Sequence, residues 1–279
     1  MTDWQCKETA GIRYYERDGQ GEALILLHGI GSFGGSFAPL LPCLESWRRV
    51  IAWNAPGYQG SAALAADWPT AADYAQALAG VLDRLGLEQV SLLGHSLGAL
   101  MGAAFAARHP KRVRRLILAA PALGHGVAPG GALSQAAQAR IDDLERMGAA
   151  KFAAARAKRL LFAPQENPDL LAQVQAGMAQ VSMPGYGQAA RMLAAGGLVQ
   201  DVERLTMRTD VIVGADDLIT PPQDARRAFA ALRPSAKGDL CIVPKAGHAV
   251  YLQAPQAVAT VVMTETNPAA CNAKQTETH

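Results

Sequence analysis

The chain has 279 residues, of which 18% are charged and 50% are hydrophobic, and its 26 Lys and Arg nearly balance its 24 Asp and Glu. This balance excludes a polybasic nucleic-acid binder, an acidic tail protein and a disordered chain. The longest apolar stretch, residues 92–107, is interrupted by Gly94, His95 and Ser96 and is shorter than the roughly 20 residues that span a bilayer, so no membrane partner is expected.

The amino-terminal composition and the cysteines bear on the compartment. Charged side chains within the first twenty residues leave no room for the basic start and apolar middle of a secretory signal, so a cytoplasmic protein is predicted. The cysteines have neither C-x-x-C spacing nor nearby paired histidines, which predicts neither a zinc site nor a disulfide framework. They are Cys6, Cys43, Cys241 and Cys271.

Apolar runs of strand length alternate with longer helical segments, a pattern typical of a mostly parallel sheet covered by helices on both faces. The first predicted element is an antiparallel hairpin, formed by residues 5–9 and 12–16 and joined through Ala10 and Gly11. Most of the later strands are continuous apolar runs, as expected of strands buried on both faces. They cover residues 23–27, 50–53, 90–93, 116–119, 211–213 and 240–243.

Helices are predicted between these strands. One covers residues 72–85 and ends at Gly86, and another covers residues 97–108 and stops before Pro110. Residues 124–205 have no strand pattern and are alanine-rich and amphipathic, which predicts a helical cap inserted between two strands. The predicted organisation is thus a core domain of residues 1–123 and 206–266, a cap of residues 124–205 and a disordered tail of residues 267–279.

The segment Gly94-His95-Ser96-Leu97-Gly98 matches G-x-S-x-G and lies between a predicted strand and a predicted helix, the context that this motif requires. A serine on such a turn stands at the positive end of the helix with its hydroxyl in the cleft. The flanking residues are glycines because any side chain there would collide with the turn. An ordinary helix cap is the alternative role for Ser96, but the two flanks favour a nucleophile.

A serine nucleophile requires a histidine base and an acid that orients the base, because serine is weakly nucleophilic near pH 7. His248 follows the last predicted strand, where a loop at the carboxyl edge of the sheet would bring its ring to Ser96. Its alternative role is that of a structural histidine. The remaining histidines fit the base less well by position; they are His28, His95, His109, His125 and His279.

The position of the orienting acid can be narrowed because one expected place for it has no carboxylate. The strand predicted at residues 116–119 runs into Pro121-Ala122-Leu123 with no carboxylate at its end, so the acid is expected after the next strand. That strand leads into Gly214-Ala215-Asp216-Asp217, which offers two candidates one residue apart. An Asx turn that stabilises the loop is the alternative role for Asp216.

Ser96, the acid and His248 follow one another in the chain order of the α/β-hydrolase fold, which differs from the orders in chymotrypsin-like and subtilisin-like proteases. Over residues 12–262 the chain resembles the α/β-hydrolase family. The resemblance implies an α/β fold with a mostly parallel, twisted sheet flanked by helices and a helical cap between strands six and seven. It also favours Asp217 as the acid, because the acid generally takes the fourth place in the family's G-x-x-D-x-x-x-P.

Two further loops are similar to family motifs. Leu27-His28-Gly29-Ile30-Gly31 is similar to the H-G-x loop, which implies that the backbone N–H groups of Ile30 and Leu97 form the oxyanion hole, with Gly31 as the alternative to Ile30. Residues 55–61 are similar to the family's P-G-x-G-x-S loop and depart from it at Gln59, which affects the local turn and not the reacting groups.

The same glycines have a rival interpretation as a phosphate-binding loop. Residues 29–34 match G-x-G-x-x-G, a weak signal on its own, and G-x-x-x-x-G-K-[ST] is absent between residues 29 and 35. No nucleotide and no other cofactor is expected. A metal site is not expected either. The expected partner is a small-molecule substrate, without nucleic acid, and a homodimer is left open.

Within the family, Ser96 argues against haloalkane dehalogenases and epoxide hydrolases, which have an aspartate at this place. The loops, the elbow and the insertion are most similar to 3-oxoadipate enol-lactonase-type hydrolases and related small-molecule esterases, which implies cleavage of an ester or enol-lactone through an acyl-enzyme. Hydrolases of meta-cleavage products are the alternative, although they commonly carry Trp where this chain has Ala249. An acyltransferase would use the same triad, and a non-enzymatic ligand receptor would usually have a damaged one.

Substrate choice is expected to lie in the cap, which would supply the roof of the pocket and exclude water. An arginine of the cap would bind a substrate carboxylate bidentately, if the substrate has one. Arg191 is the favoured candidate, with Tyr186 and Met192 beside it as further substrate contacts. A solvated helix face is the alternative interpretation of such arginines.

Overall fold

The computed structural model describes residues 4–264, in which eight strands form one sheet. The strands are β1 (Gln5–Thr9), β2 (Ile12–Arg17), β3 (Gln20–Leu27), β4 (Arg48–Trp53), β5 (Val90–His95), β6 (Val113–Ala119), β7 (Arg208–Gly214) and β8 (Lys237–Val243). Their order in the sheet is β1-β2-β4-β3-β5-β6-β7-β8. The pairings β1–β2 and β2–β4 are antiparallel and the others are parallel, which confirms the predicted α/β class and the amino-terminal hairpin.

The helices lie between and beside these strands. They are α1 (Ala71–Arg84), α2 (Leu97–Arg108), α3 (Gln135–Arg156), α4 (Pro168–Met178), α5 (Gly185–Ala195), α6 (Leu198–Val202), α7 (Pro222–Ala231), α8 (Val250–Gln253) and α9 (Pro255–Met263). The two helices predicted from the sequence are α1 and α2. No helix within residues 4–264 is long and apolar enough to cross a membrane. The predicted tail, residues 267–279, lies outside the described residues, as does Cys271.

Two hydrophobic cores cover the two faces of the sheet. Successive side chains of a strand point to opposite faces, and β3 shows this alternation clearly. Ile25 and Leu27 belong to the core that contains α1 and α2, whereas Leu24 and Leu26 belong to the core that contains α8 and α9. Burial on both faces explains the continuous apolar runs from which the central strands were predicted.

Residues 124–205, called the insertion here, contain α3 to α6 and lie in the chain between β6 and β7. Its two ends are held side by side: Gly126 N–H donates to Gly196 O at 3.0 Å and Leu198 N–H donates to Leu123 O at 2.9 Å. Gly124 has a φ of +77°, and a Cβ at this residue would overlap the backbone of Gly196. The division into a core domain and a separate cap domain stays a prediction.

Candidate active site

Ser96 occupies a strained turn between β5 and α2, with φ of 53° and ψ of −111°. A Cβ at Gly98 would overlap the carbonyl of Leu27, and a Cβ at Gly94 would overlap the backbone of Gly98 itself. Both flanking positions therefore require glycine, as the sequence predicted. Ser96 stands at the N-cap of α2, yet its side chain makes no capping hydrogen bond. The strain therefore does not serve an ordinary helix cap, and such strain is typical of functional sites.

A cavity of about 590 Å³ lies over this turn. Its wall on the sheet side includes Ile30, Ser96, Leu97 and His248, and residues of the insertion complete it. The volume falls in the range of small-molecule sites. Four residues predicted from distant parts of the sequence thus line one cavity.

His248 and Asp217 form a buried pair, with His248 Nδ1 2.8 Å from Asp217 Oδ2. The other carboxylate oxygen, Oδ1, accepts hydrogen bonds from the N–H groups of Ile219 at 2.7 Å and Thr220 at 2.9 Å. Burial acts to raise the pKa of Asp217, but the hydrogen bonds and charge of His248 and the two amides outweigh it and hold the pKa below its usual range. The rival acid, Asp216, is exposed. The structure therefore brings Asp217, and not Asp216, to His248.

Thr220 is a residue of this site that the sequence analysis missed. Its Oγ1 lies 2.9 Å from Asp217 Oδ2, 2.9 Å from Ala120 O and 3.1 Å from His248 Nδ1. The hydroxyl has one proton to donate to an oxygen, and its lone pairs can accept from the imidazole N–H. Thr220 thus fixes the relative position of the acid and the ring. A threonine three residues after an acid in a loop is the one weak signal that the sequence offered.

His95 connects the turn to the loop of His248. Its Nε2 lies 2.8 Å from His248 O, which only accepts, so Nε2 carries the proton and Nδ1 is unprotonated. Nδ1 has no hydrogen-bond partner. Burial, reinforced by the charge of His248, lowers the pKa of His95 to about 3. A neutral histidine therefore ties two segments of the site together, although the residues are far apart in the chain.

The loop after β3 holds a free backbone donor. Within residues 4–264 the N–H of Ile30 has no hydrogen-bond acceptor, and Leu97, as the first residue of α2, has none within its helix. The hydroxyl of Tyr58 donates to Ile30 O at 2.8 Å and holds the following peptide. Both predicted N–H groups are therefore available at the cavity wall. The alternative donor, Gly31, also lines the cavity.

His28 orients the peptide that carries the Ile30 N–H. His28 Nε2 accepts from Ala55 N–H at 3.0 Å, so Nδ1 carries the proton and donates to Gly29 O at 2.8 Å. The C=O of Gly29 and the N–H of Ile30 belong to one trans peptide and point in opposite directions. Burial lowers the pKa of His28 to about 4, which keeps this ring neutral. The hydrogen bond that draws the carbonyl toward His28 therefore directs the N–H away from it.

The predicted substrate contacts need a correction. Tyr186 lines the cavity, but Arg191 and Met192 do not. The cavity residues of α5 are Tyr186, Ala190, Leu193 and Ala194, which share one face of the helix at spacings of four and seven or eight residues. Arg191 and Met192 fall on other faces, and Met192 is completely buried. The arginines that do line the cavity are Arg140, Arg156, Arg159 and Arg227.

Residues 4–264 contain no group of three or more His, Cys, Asp or Glu side chains that could hold a metal ion. Residues 22–255 match a family model described as the alpha/beta hydrolase fold. Over 260 residues the chain is 27% identical to an (E)-2-((N-methylformamido)methylene)succinate hydrolase of Acinetobacter baylyi, covering 91% of this chain and 93% of that protein.

One relative is similar in sequence over part of the chain, and one solved structure is similar in fold over most of it. A 2-hydroxy-6-oxo-6-phenylhexa-2,4-dienoate hydrolase of Comamonas testosteroni is 33% identical over 112 residues, which is 39% of each chain. The crystal structure of an enol-lactonase from Burkholderia xenovorans LB400 has a TM-score of 0.79 to this structure at 22% identity, covering 93% of this chain and 98% of that one. The second likeness concerns the fold alone.

Proposed function

The chain belongs to the α/β-hydrolase fold family, and we propose that it is a serine hydrolase that cleaves a carboxylic ester or lactone of a small molecule without a cofactor. One observation carries the proposal: Ser96, on a strained turn and without a capping bond, lines the same cavity as His248, whose ring is held by Asp217. A nucleophile, a base and an orienting acid in this arrangement are the groups that acyl transfer needs.

In the proposed reaction, His248 Nε2 takes the proton of Ser96 as its Oγ attacks the substrate carbonyl. Asp217 accepts the Nδ1–H and stabilises the imidazolium that forms. The imidazolium then protonates the leaving oxygen, and an acyl-enzyme remains for water to hydrolyse. No hydrogen bond joins Ser96 and His248 within residues 4–264, and we expect one when substrate binds, as catalytic hydrogen bonds often tighten only in the complex.

The oxyanion of the tetrahedral intermediate would be held by the N–H groups of Ile30 and Leu97. Each donor is held before the substrate arrives, Ile30 by the hydrogen bonds of the His28 loop and Leu97 by the turn that starts α2. A preorganised donor needs no rearrangement when the charge develops, and removing one costs about 3 kcal/mol of transition-state stabilisation.

A second candidate is hydrolysis of a C–C bond in a meta-cleavage product. The local identity with the Comamonas testosteroni dienoate hydrolase favours it, since that relative is named for such a substrate. Against it stands Ala249, which follows His248 where those hydrolases commonly carry Trp. The full-length relative from Acinetobacter baylyi is named for a substituted succinate, which supports a small-molecule substrate. Ester or lactone cleavage is therefore the first choice.

The test is steady-state turnover of a short panel by the wild type and by Ser96→Ala. The panel contains p-nitrophenyl acetate and butyrate, the enol-lactone of 3-oxoadipate and one meta-cleavage diketone. We expect Ser96-dependent turnover of the lactone or the esters, and full activity in Ser235→Ala, which removes an exposed serine hydroxyl outside the cavity. Preference for the diketone would select the second candidate, and activity that survives Ser96→Ala would refute the serine mechanism.

A further inference from the structure

Within residues 4–264, one arginine of the cavity wall lacks a hydrogen-bond or ion-pair partner. Arg140 lies on α3, is partly buried and lines the cavity. Its Nε is buried and has no hydrogen-bond partner. Arg140 takes part in none of the hydrogen bonds or ion pairs found within residues 4–264. A buried, charged donor left without an acceptor is costly, and an acceptor supplied by a ligand in the cavity would offset that cost.

The other arginines of the cavity are satisfied or exposed. Arg156 Nη2 lies 3.1 Å from Asp143 Oδ2, and its guanidinium also stacks over the ring of Phe152 at 4.7 Å. Arg159 and Arg227 are exposed to solvent. The cavity-lining residues include a single acidic side chain, Asp224. The cavity therefore has an excess of positive charge. Arg140 is the partly buried arginine of its wall whose charge no ion pair neutralises within residues 4–264.

The surroundings of Arg140 supply a second donor and an apolar wall. Tyr186 lines the same cavity as Arg140, and burial raises the pKa of its phenol to about 12, so the hydroxyl stays protonated and can donate. The Tyr186 ring packs edge-to-face on Phe152 at 5.3 Å. Ala137 and Leu193 are apolar residues of the same cavity wall. Two hydrogen-bond donors and apolar side chains in one cavity suit an organic anion.

We propose that Arg140 binds a carboxylate group of the substrate, so that the ester or lactone cleaved at Ser96 carries a free carboxylate at its far end. A guanidinium presents paired N–H groups that match a carboxylate bidentately, and Tyr186 supplies a further donor. This inference rests on the proposed function for the cleavage step, but the binding of a carboxylate does not depend on cleavage.

The kinetic test compares matched esters that differ only in the terminal group. Mono-4-nitrophenyl succinate, glutarate and adipate are each compared with the neutral ester of equal chain length, and selectivity is the ratio of their kcat/KM values. We expect the wild type to prefer one or more of the acids, and Arg140→Gln to reduce this ratio by about 10- to 100-fold, mostly through KM. Arg140→Lys keeps the charge and loses the paired donors, so an intermediate ratio is expected.

The matched control removes an equal charge from the same helix. Arg146 lies on α3, is exposed and pairs with Asp143 outside the cavity wall. Arg146→Gln should keep the wild-type ratio. A wild type without preference for any of the acids would overturn the proposal, and so would a ratio that Arg140→Gln and Arg146→Gln change equally.

A binding measurement separates this site from the chemistry. Calorimetric titration of monomethyl succinate, glutarate and adipate into Ser96→Ala should show binding of the preferred chain length, and binding that is about 10- to 100-fold weaker in Ser96→Ala/Arg140→Gln. If the protein hydrolyses no ester but this binding and its loss are observed, the proposed function fails and the carboxylate site stands. If neutral esters are hydrolysed but none of the acids binds, the proposed function stands and the carboxylate site is refuted.

Discussion

His28→Phe tests how the proposed oxyanion hole is held. The substitution removes the Nδ1–H that donates to Gly29 O at 2.8 Å and the Nε2 that accepts from Ala55 N–H at 3.0 Å, while a ring of similar size still faces Tyr58. The stability cost is that of one buried donor left unsatisfied, about 1–3 kcal/mol. The effect on catalysis comes from the freed peptide of Gly29 and Ile30.

Complete loss of one oxyanion donor costs about 100-fold or more in kcat. Ser32 N–H still donates to Gly29 O at 3.1 Å in the variant and retains part of the orientation. We therefore expect kcat to fall by about 10- to 100-fold with KM little changed, because the N–H acts only on the transition state. The assay is steady-state hydrolysis of p-nitrophenyl butyrate, with thermal unfolding to verify the fold.

The control is His109→Phe, the same exchange at a partly buried histidine at the end of α2, whose ring packs on Phe105 and does not line the cavity. This control should leave kcat and KM at the wild-type values. A folded His28→Phe enzyme whose kcat stays within about 3-fold of the wild type would refute the reasoning, as would a change confined to KM.

Three other predictions follow from the same contacts. Asp217→Asn should lower kcat by about four orders of magnitude without unfolding the protein, since the amide no longer selects the correct tautomer of His248, and a loss below about 10-fold would count against this. Gly98→Ala should cost about 3 kcal/mol or more in urea unfolding, because its Cβ overlaps the Leu27 carbonyl, and a smaller cost would mean that the turn adjusts. Stability should also fall as pH drops below 6.5, because His28 and His95 stay neutral in the native state down to pKa values of about 4 and 3 while the unfolded chain binds their protons. Each histidine contributes up to about 1.4 kcal/mol per pH unit, and a flat profile between pH 6.5 and 4.5 would contradict the neutral state of the two rings.

Much of the fold and of the site could be predicted because the signals are local. The alternation of buried apolar runs with amphipathic segments gives the sheet and its helices, and G-x-S-x-G between a strand and a helix identifies the turn at Ser96. The local sequence left Asp216 and Asp217 both open, and only the resemblance to the family's G-x-x-D-x-x-x-P motif favoured Asp217. The structure places this buried member of the pair at His248.

What the sequence could not reveal depends on distant contacts and on the rotation of helices. The hydrogen bond between His95 and the carbonyl of His248 joins residues 153 positions apart, so no local sequence pattern predicts it. Arg191 and Arg140 are both arginines of the insertion, and only the packing of their helices decides that Arg140 lines the cavity and Arg191 does not. From the sequence, Thr220 is an ordinary loop residue. Only the structure shows that its hydroxyl lies between Asp217 and His248.

The most direct test of the proposed mechanism is covalent trapping of the nucleophile. A fluorophosphonate transfers its phosphonyl group to an activated serine hydroxyl with loss of fluoride, and mass spectrometry of the intact protein and its peptides locates the adduct. We predict one adduct per chain on Ser96, none in Ser96→Ala, and slower labelling in His248→Gln. A wild-type enzyme that hydrolyses esters while Ser96 stays unlabelled, or that carries the adduct on another residue, would contradict the mechanism proposed for this protein.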